Sequence, residues 1–127
     1  MANKIWKHRN IRESLLGALK GLKVVLATER NARLIFLIGL IVIVFGIIFK
    51  LSPDELVILI IVTVGVFVCE VFNTLVEYIL NMIQPQNDPK IKLLKDISSA
   101  AVLLSSLGAI IIGLILFFPK IISFLSK

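Results

Sequence analysis

Thiol chemistry has little to work with in this 127-residue chain, which carries a single cysteine, Cys69, set inside an apolar run. One thiol excludes an intrachain disulfide and a thiolate metal cluster, and its surroundings mark it as a packing residue. Charge is missing from two long stretches, LIFLIGLIVIVFGIIF (Leu34 to Phe49) and LVILIIVTVGVFVC (Leu56 to Cys69). A soluble fold would need a solvent face on such segments. These have none, so the expected solvent is a bilayer. There is no internal repeat and no low-complexity tract. Nor does the N-terminus have the basic, apolar, small-residue order of a secretory leader, because charges are scattered through about thirty residues before the first long apolar run. The first span is therefore expected to stay in the mature protein. Neither a Walker A loop nor a kinase-type Gly-rich loop is present, so any phosphate chemistry has to be done without those cradles.

What the chain has in excess is apolar side chains, 58% of the total against roughly 45–50% in ordinary soluble domains. Separating apolar from charged stretches gives an all-α membrane protein of one domain, residues 1–127. Residues 5–28 mix Ile5, Leu15, Leu16, Leu19, Leu22, Val25 and Leu26 with Lys7, Arg9, Arg12, Lys20 and Lys23. That mixture predicts a basic amphipathic helix lying in the membrane interface. Three spans follow, over 32–51, 55–82 and 96–118. Lys50 to Glu55 makes the first turn, with Ser52 or Asp54 as candidate caps, the polar stretch QPQNDPKIK makes the second connection, and Pro119 is expected to end the last helix. Ser98, Ser99, Ser105, Ser106, Gly108 and Gly113 on the third span allow close helix approach.

Eight of the fourteen lysines and arginines fall in the first 33 residues, and Lys90, Lys92 and Lys95 follow the second span. The positive-inside bias then places the N-terminus and the second loop in the cytoplasm and the C-terminus outside. The net charge of +6 does not point to nucleic acid, because the basic residues flank apolar spans and are not interleaved with exposed aromatics.

The chemistry-bearing segment is CEVFNTLVEY. Glu70, Asn73 and Glu77 lie within about 60° of one another around a helix, forming one polar stripe in an otherwise apolar span. An ionisable side chain inside a membrane costs at least ~2.5–3.5 kcal/mol, which makes such carboxylates functional candidates. The bland alternative is a stripe near the interface that pairs with loop lysines or with a neighbouring helix. Lys95 and Asp96, at the start of the third span, place an ammonium near a helix N-terminus where phosphate is welcome, although a snorkelling lysine and an N-cap aspartate explain them as well. Glu29 stands at the mouth of the first span beside Arg30 and Arg33. Three carboxylates converging with a lysine supply what phosphoryl transfer needs: oxygens for Mg²⁺, a base, and positive charge. A channel or transporter lined by Glu70 and Glu77, or a non-catalytic assembly subunit, remains open from the residues alone.

The run Glu70-Val71-Phe72-Asn73-Thr74-Leu75-Val76-Glu77, followed by Lys95-Asp96-Ile97-Ser98-Ser99-Ala100-Ala101-Val102, resembles the ExxNxxxE and KDxxSAAV signatures of the prokaryotic diacylglycerol kinase and undecaprenol kinase family. The likeness extends to Ala18-Leu19-Lys20-Gly21-Leu22, to Glu29 and to the three-span layout. It implies an ATP-dependent lipid kinase of the bacterial inner (plasma) membrane, a helical-bundle homotrimer whose subunits share active sites at the cytoplasmic interface. By the same resemblance Glu70 is the base for the lipid hydroxyl and Asn73 orients that region. Glu29 and Glu77 hold the Mg²⁺ of ATP, Lys95 meets the phosphates, Asp96 seats the nucleotide and Ser99 lies near the lipid. The acceptor is diacylglycerol or undecaprenol, and the Glu29-Arg30-Asn31-Ala32-Arg33 form is similar to members acting on undecaprenol. Asn81 and Ile35 depart from the acidic residues that many and some relatives, respectively, carry there. Arg9 and Arg12 are read as surface anchors.

Overall fold

The computed structural model describes residues 10–84 and 87–127, and the regular structure among them is entirely α-helical. Four helices follow in order: α1 (Ile11–Thr28), α2 (Arg30–Ile48), α3 (Pro53–Ile83) and α4 (Pro89–Leu125). The last three are each long and apolar enough to cross a membrane. The shortest, α2, has 19 residues and reaches about 29 Å at 1.5 Å per residue, close to the thickness of a hydrocarbon core. Of the segment expected as the first helix, residues 5–9 lie outside the described residues, as does Arg9. Arg12 lies on α1.

Each junction has a local cause. Between α1 and α2 a single residue, Glu29, leaves the helical region (φ −102°, ψ 115°). Arg33, one turn into α2, reaches back so that its Nη1 donates to the carbonyls of Leu26 (3.1 Å) and Ala27 (2.9 Å). Those carbonyls in the last turn of α1 lack intrahelical donors, and a cation there also suits the helix dipole. At the far end of α2 the Leu51 N–H bonds Gly46 O (3.0 Å) and the Lys50 N–H bonds Ile47 O (3.1 Å). This paired closure needs a left-handed residue, and Lys50 takes that conformation with φ 55°. The first span therefore ends at Ile48, short of the expected Leu51. Ser52 then opens α3 with a reciprocal capping box, its Oγ accepting from the Glu55 N–H (3.3 Å) while Glu55 Oε2 accepts from the Ser52 N–H (2.7 Å).

Two expectations for the last helix are corrected. It starts seven residues before Asp96, at Pro89, with the Asp88 side chain accepting from the Lys90 N–H at 2.7 Å. Proline at the first helical position costs no hydrogen bond, which is why the chain turns helical there. It also continues through Pro119 to Leu125. Pro119 brings no N–H to the ladder, yet the turn beyond it is held from outside. Lys120 Nζ lies 3.2 Å from Glu55 Oε2, and the Phe124 ring meets Phe49 edge-on at 5.9 Å between centroids.

α3 is the centre of the bundle, with α4 packed along most of it, α2 on another side, and only the end of α1 in contact. Small residues set the α2–α3 approach. Gly39 is buried against Thr63, whose hydroxyl bonds the Leu59 carbonyl (2.7 Å) and so pins the rotamer that aims its methyl at Gly39. Most large apolar side chains face outward, among them Ile61 (65% exposed), Leu104 (69%) and Ile115 (66%). In water that surface would aggregate; in lipid it is the solvated face. The helices run alternately up and down, so the start of α2, the end of α3 and the start of α4 gather at one end.

Two substitutions test this packing. A Cβ at Gly39 would sit 2.5 Å from Thr63 Cγ2, whereas one at Gly65 meets nothing within 4 Å. Gly39→Ala is expected to cost about 1–3 kcal/mol through overpacking and lower the unfolding midpoint in detergent, with Gly65→Ala unchanged. Lys50→Gly is expected to raise the same midpoint by relieving about 1 kcal/mol of left-handed strain.

Candidate active site

α3 carries the polar stripe in the half that approaches the α1–α2 junction. Glu70 is 4% exposed, Thr74 2% and Asn73 9%, while Glu77 one turn further is half-buried. α2 and α4 both pack against α3. Among the described residues Asn73 Oδ1 is buried without a hydrogen-bond partner. An amide oxygen so placed carries a desolvation cost of about 1–3 kcal/mol until a donor reaches it.

Glu29 is brought to this face from 41 residues away along the chain. As the residue between two helices it could have capped α2, yet its side chain makes no capping bond. Its Oε1 instead accepts from the Tyr78 hydroxyl at 3.1 Å. Tyr78 follows Glu77 directly, and its oxygen also lies 2.8 Å from Thr28 Oγ1. Glu70 and Glu77 stand on one stripe of α3, and Glu29 is tied to Tyr78, next to Glu77 in the chain. No cation offsets them within the described chain, where the one ion pair is Lys120–Glu55 at the opposite end. Arg33, one turn into α2, is occupied with the α1 carbonyls, and Arg30, beside Glu29, is exposed.

Lys95 reaches the same end from α4, and its Nζ donates to Asn81 Oδ1 at 2.6 Å. Asn81 is one turn beyond Glu77, about 6 Å along the helix axis. The partner is a neutral amide, so the ammonium is held in place with its charge intact. Lys95 and Asp96 do not, however, lie at a helix N-terminus. α4 begins at Pro89, and by residue 95 its N–H groups are committed to the helical ladder, so the lysine acts there without a helix terminus beside it. Asp96 and Ser99 are exposed on α4 and share no hydrogen bond with the α3 carboxylates. The structure thus sets Glu70, Asn73 and Glu77 on one stripe of α3, ties Glu29 to Tyr78 beside that stripe and holds Lys95 at Asn81, with Asp96 and Ser99 exposed on α4.

Among the described residues no three His, Cys, Asp or Glu side chains stand close enough to cage a metal ion. A hard dication bound with a nucleotide needs less: one or two carboxylates, with phosphate oxygens and water completing the shell. Glu29 and Glu77 fit that pattern. The residues that sequence reasoning missed are Tyr78, Thr28 and the capping role of Arg33. Tyr78 is the one tyrosine in the chain, but its partner lies 49 positions away, and no local periodicity signals such a contact.

Comparison with known proteins adds an independent line. Residues 17–117 match the family profile of prokaryotic diacylglycerol kinase, a range that includes every candidate residue above. An undecaprenol kinase of Bacillus subtilis (strain 168) is 30% identical over 118 residues, covering 90% of this chain and 96% of the relative. A diacylglycerol kinase of Synechocystis sp. is 29% identical over 115 residues, covering 90% of this chain and 66% of the relative. With three membrane-length helices converging on an end that bears three carboxylates and a lysine, the chain belongs to the prokaryotic diacylglycerol kinase family and is a multi-pass membrane lipid kinase.

Proposed function

We propose that the protein transfers the γ-phosphate of ATP to the primary hydroxyl of a membrane lipid, with undecaprenol the acceptor ahead of diacylglycerol. The observation that carries this reading is the gathering of Glu29, held by Tyr78, with Glu70 and Glu77 at one end of the bundle, and Lys95 held there by Asn81. Carboxylates at one end of the bundle, in no ion pair among the described residues, suit a dication that phosphate oxygens and water help to hold, and a dication carried by ATP brings the phosphate donor with it. For the acceptor, support comes from the undecaprenol kinase that the chain matches along nearly all of its length and from the Glu29–Arg33 run.

Glu70 is the base. The acceptor hydroxyl oxygen attacks the γ-phosphorus while its proton passes to the Glu70 carboxylate. The new O–P bond forms as the bond to the bridging oxygen of ATP breaks, and ADP leaves with that electron pair. Asn73 Oδ1, buried and without a partner among the described residues, accepts a hydrogen bond from the incoming hydroxyl and steers it toward Glu70. Glu29 and Glu77 would hold Mg²⁺, which when bound offsets the charge of the phosphates. Lys95, kept in position by Asn81, adds a second positive charge toward the γ-phosphoryl oxygens. Asp96 seats the nucleotide and Ser99 borders the lipid. Their exposure in the single chain supports sites completed between subunits of a homotrimer.

The same reading sets the protein in a bacterial plasma membrane as a single domain, residues 1–127, with its N-terminus in the cytoplasm and its C-terminus outside. α1 lies along the interface. Leu15, Leu19, Leu22 and Leu26 fall within an arc of about 60° on that helix, and Arg12, Lys20 and Lys23 within an adjoining arc of about 80°. Leucines toward acyl chains and cations toward anionic headgroups would anchor it there.

Glu70→Gln keeps the shape of the side chain and removes the base. It is expected to lower kcat for lipid phosphorylation at least about 100-fold with little change in the KM for ATP. Near-normal turnover by a folded Glu70→Gln protein would remove Glu70 from the chemistry.

A further inference from the structure

We infer that Tyr78 is a positioning residue for the nucleotide-metal end of the site, fixing the Glu29 carboxylate relative to that of Glu77. The inference rests on the proposed roles of those two glutamates. It concerns a different link: what decides the distance between them.

Glu29 has the weakest local support of the candidate residues. It lies in the break between α1 and α2 with extended backbone, and its side chain makes no capping bond. Three side-chain torsions would otherwise leave its carboxylate free to sweep past the site, at a substantial cost in rotamer entropy each time a ligand had to collect it. Tyr78 removes that freedom. A tyrosine has a rigid ring on two torsions, and this one stands on α3 next to Glu77, so whatever its hydroxyl holds is referenced to the same turn of helix. The hydroxyl lies 3.1 Å from Glu29 Oε1.

Hydrogen accounting shows how Thr28 takes part. Tyr78 Oη is 2.8 Å from Thr28 Oγ1, and Thr28 Oγ1 is 2.9 Å from Val24 O. Three contacts share two hydroxyl hydrogens. In one arrangement Thr28 donates to Val24 O, and Tyr78 divides its hydrogen between Thr28 and Glu29. In the other Thr28 donates to Tyr78, and Tyr78 donates wholly to Glu29. The second gives a charge-assisted bond to an unpaired carboxylate, roughly twice as strong as a neutral one. Val24 O loses little by it, since that carbonyl already accepts the helical bond from the Thr28 N–H. Thr28 therefore competes with Glu29 in one arrangement and supports it in the other, whereas Tyr78 is required in both.

The test is binding of Mn²⁺, used as the spectroscopic probe for the divalent cation, to the purified full-length protein in detergent with a non-hydrolysable ATP analogue, read by electron paramagnetic resonance. Tyr78→Phe, which deletes one oxygen, is expected to weaken Mn²⁺ binding about tenfold, the scale seen when a group orienting a metal ligand is removed. In the kinase assay it should raise the Mg²⁺ requirement by a similar factor while leaving the KM for the lipid acceptor unaltered. Thr28→Val removes only the secondary partner of the Tyr78 hydroxyl and should weaken Mn²⁺ binding clearly less than Tyr78→Phe does. Added to Glu29→Gln, Tyr78→Phe should cause no further loss. Unchanged Mn²⁺ affinity in Tyr78→Phe, or equal weakening in Thr28→Val and Tyr78→Phe, overturns the inference. If Glu29→Gln itself leaves Mn²⁺ affinity unchanged, the underlying assignment of Glu29 fails first.

Discussion

A backbone that crosses hydrocarbon has to satisfy its own N–H and C=O groups, and a side chain carried with it is solvated by helices or by lipid but not by water. Every polar oxygen on the middle of α3 is placed against that constraint. Among the described residues Glu70, Asn73 and Thr74 are the buried polar ones, all on α3, while leucine, isoleucine and phenylalanine make up most of the exposed apolar surface. The helix junctions obey the same demand. Arg33 closes the end of α1, the left-handed Lys50 closes α2, Ser52 and Glu55 open α3, and Asp88 opens α4.

The alternating direction of the three spans turns this local discipline into a site. α2 enters where α3 leaves and α4 begins, so a glutamate before the first span, a carboxylate stripe late in the second and a lysine early in the third meet at one end. The other end is fastened by different means, Phe49 against Phe117 and Phe124 and the Glu55–Lys120 pair. The candidate site and the aromatic closure thus lie at opposite ends of the bundle. A pore lined by Glu70 and Glu77 gives no role to Glu29 held by Tyr78, whereas the proposed kinase reading does.

Three helices of membrane length and the polar stripe could be read from the residues because each signal is local: charge-free runs long enough to cross, and glutamates at helical spacing. Family membership was accessible for a related reason, since the two short motifs stand at fixed separation in one chain. What escaped was tertiary. Pro119 looks like a terminator until the contacts of Lys120 and Phe124 hold the next turn. Lys95–Asp96 looks like a helix start until Asp88 and Pro89 provide an earlier one, which removes the dipole from the site and leaves the ammonium alone. Tyr78 and Thr28 carry no pattern at all, because a hydrogen bond between residues 49 or 50 apart is a product of how α3 meets the α1–α2 junction.

The most direct measurement of the central claim is transfer of radiolabel from [γ-³²P]ATP by the purified protein in mixed micelles offered undecaprenol and diacylglycerol in parallel. Labelled lipid phosphate formed in equal amount to ADP, with undecaprenol the better acceptor, is the predicted result. ADP released without labelled lipid, or no label in either acceptor from a folded protein supplied with Mg²⁺, would contradict it.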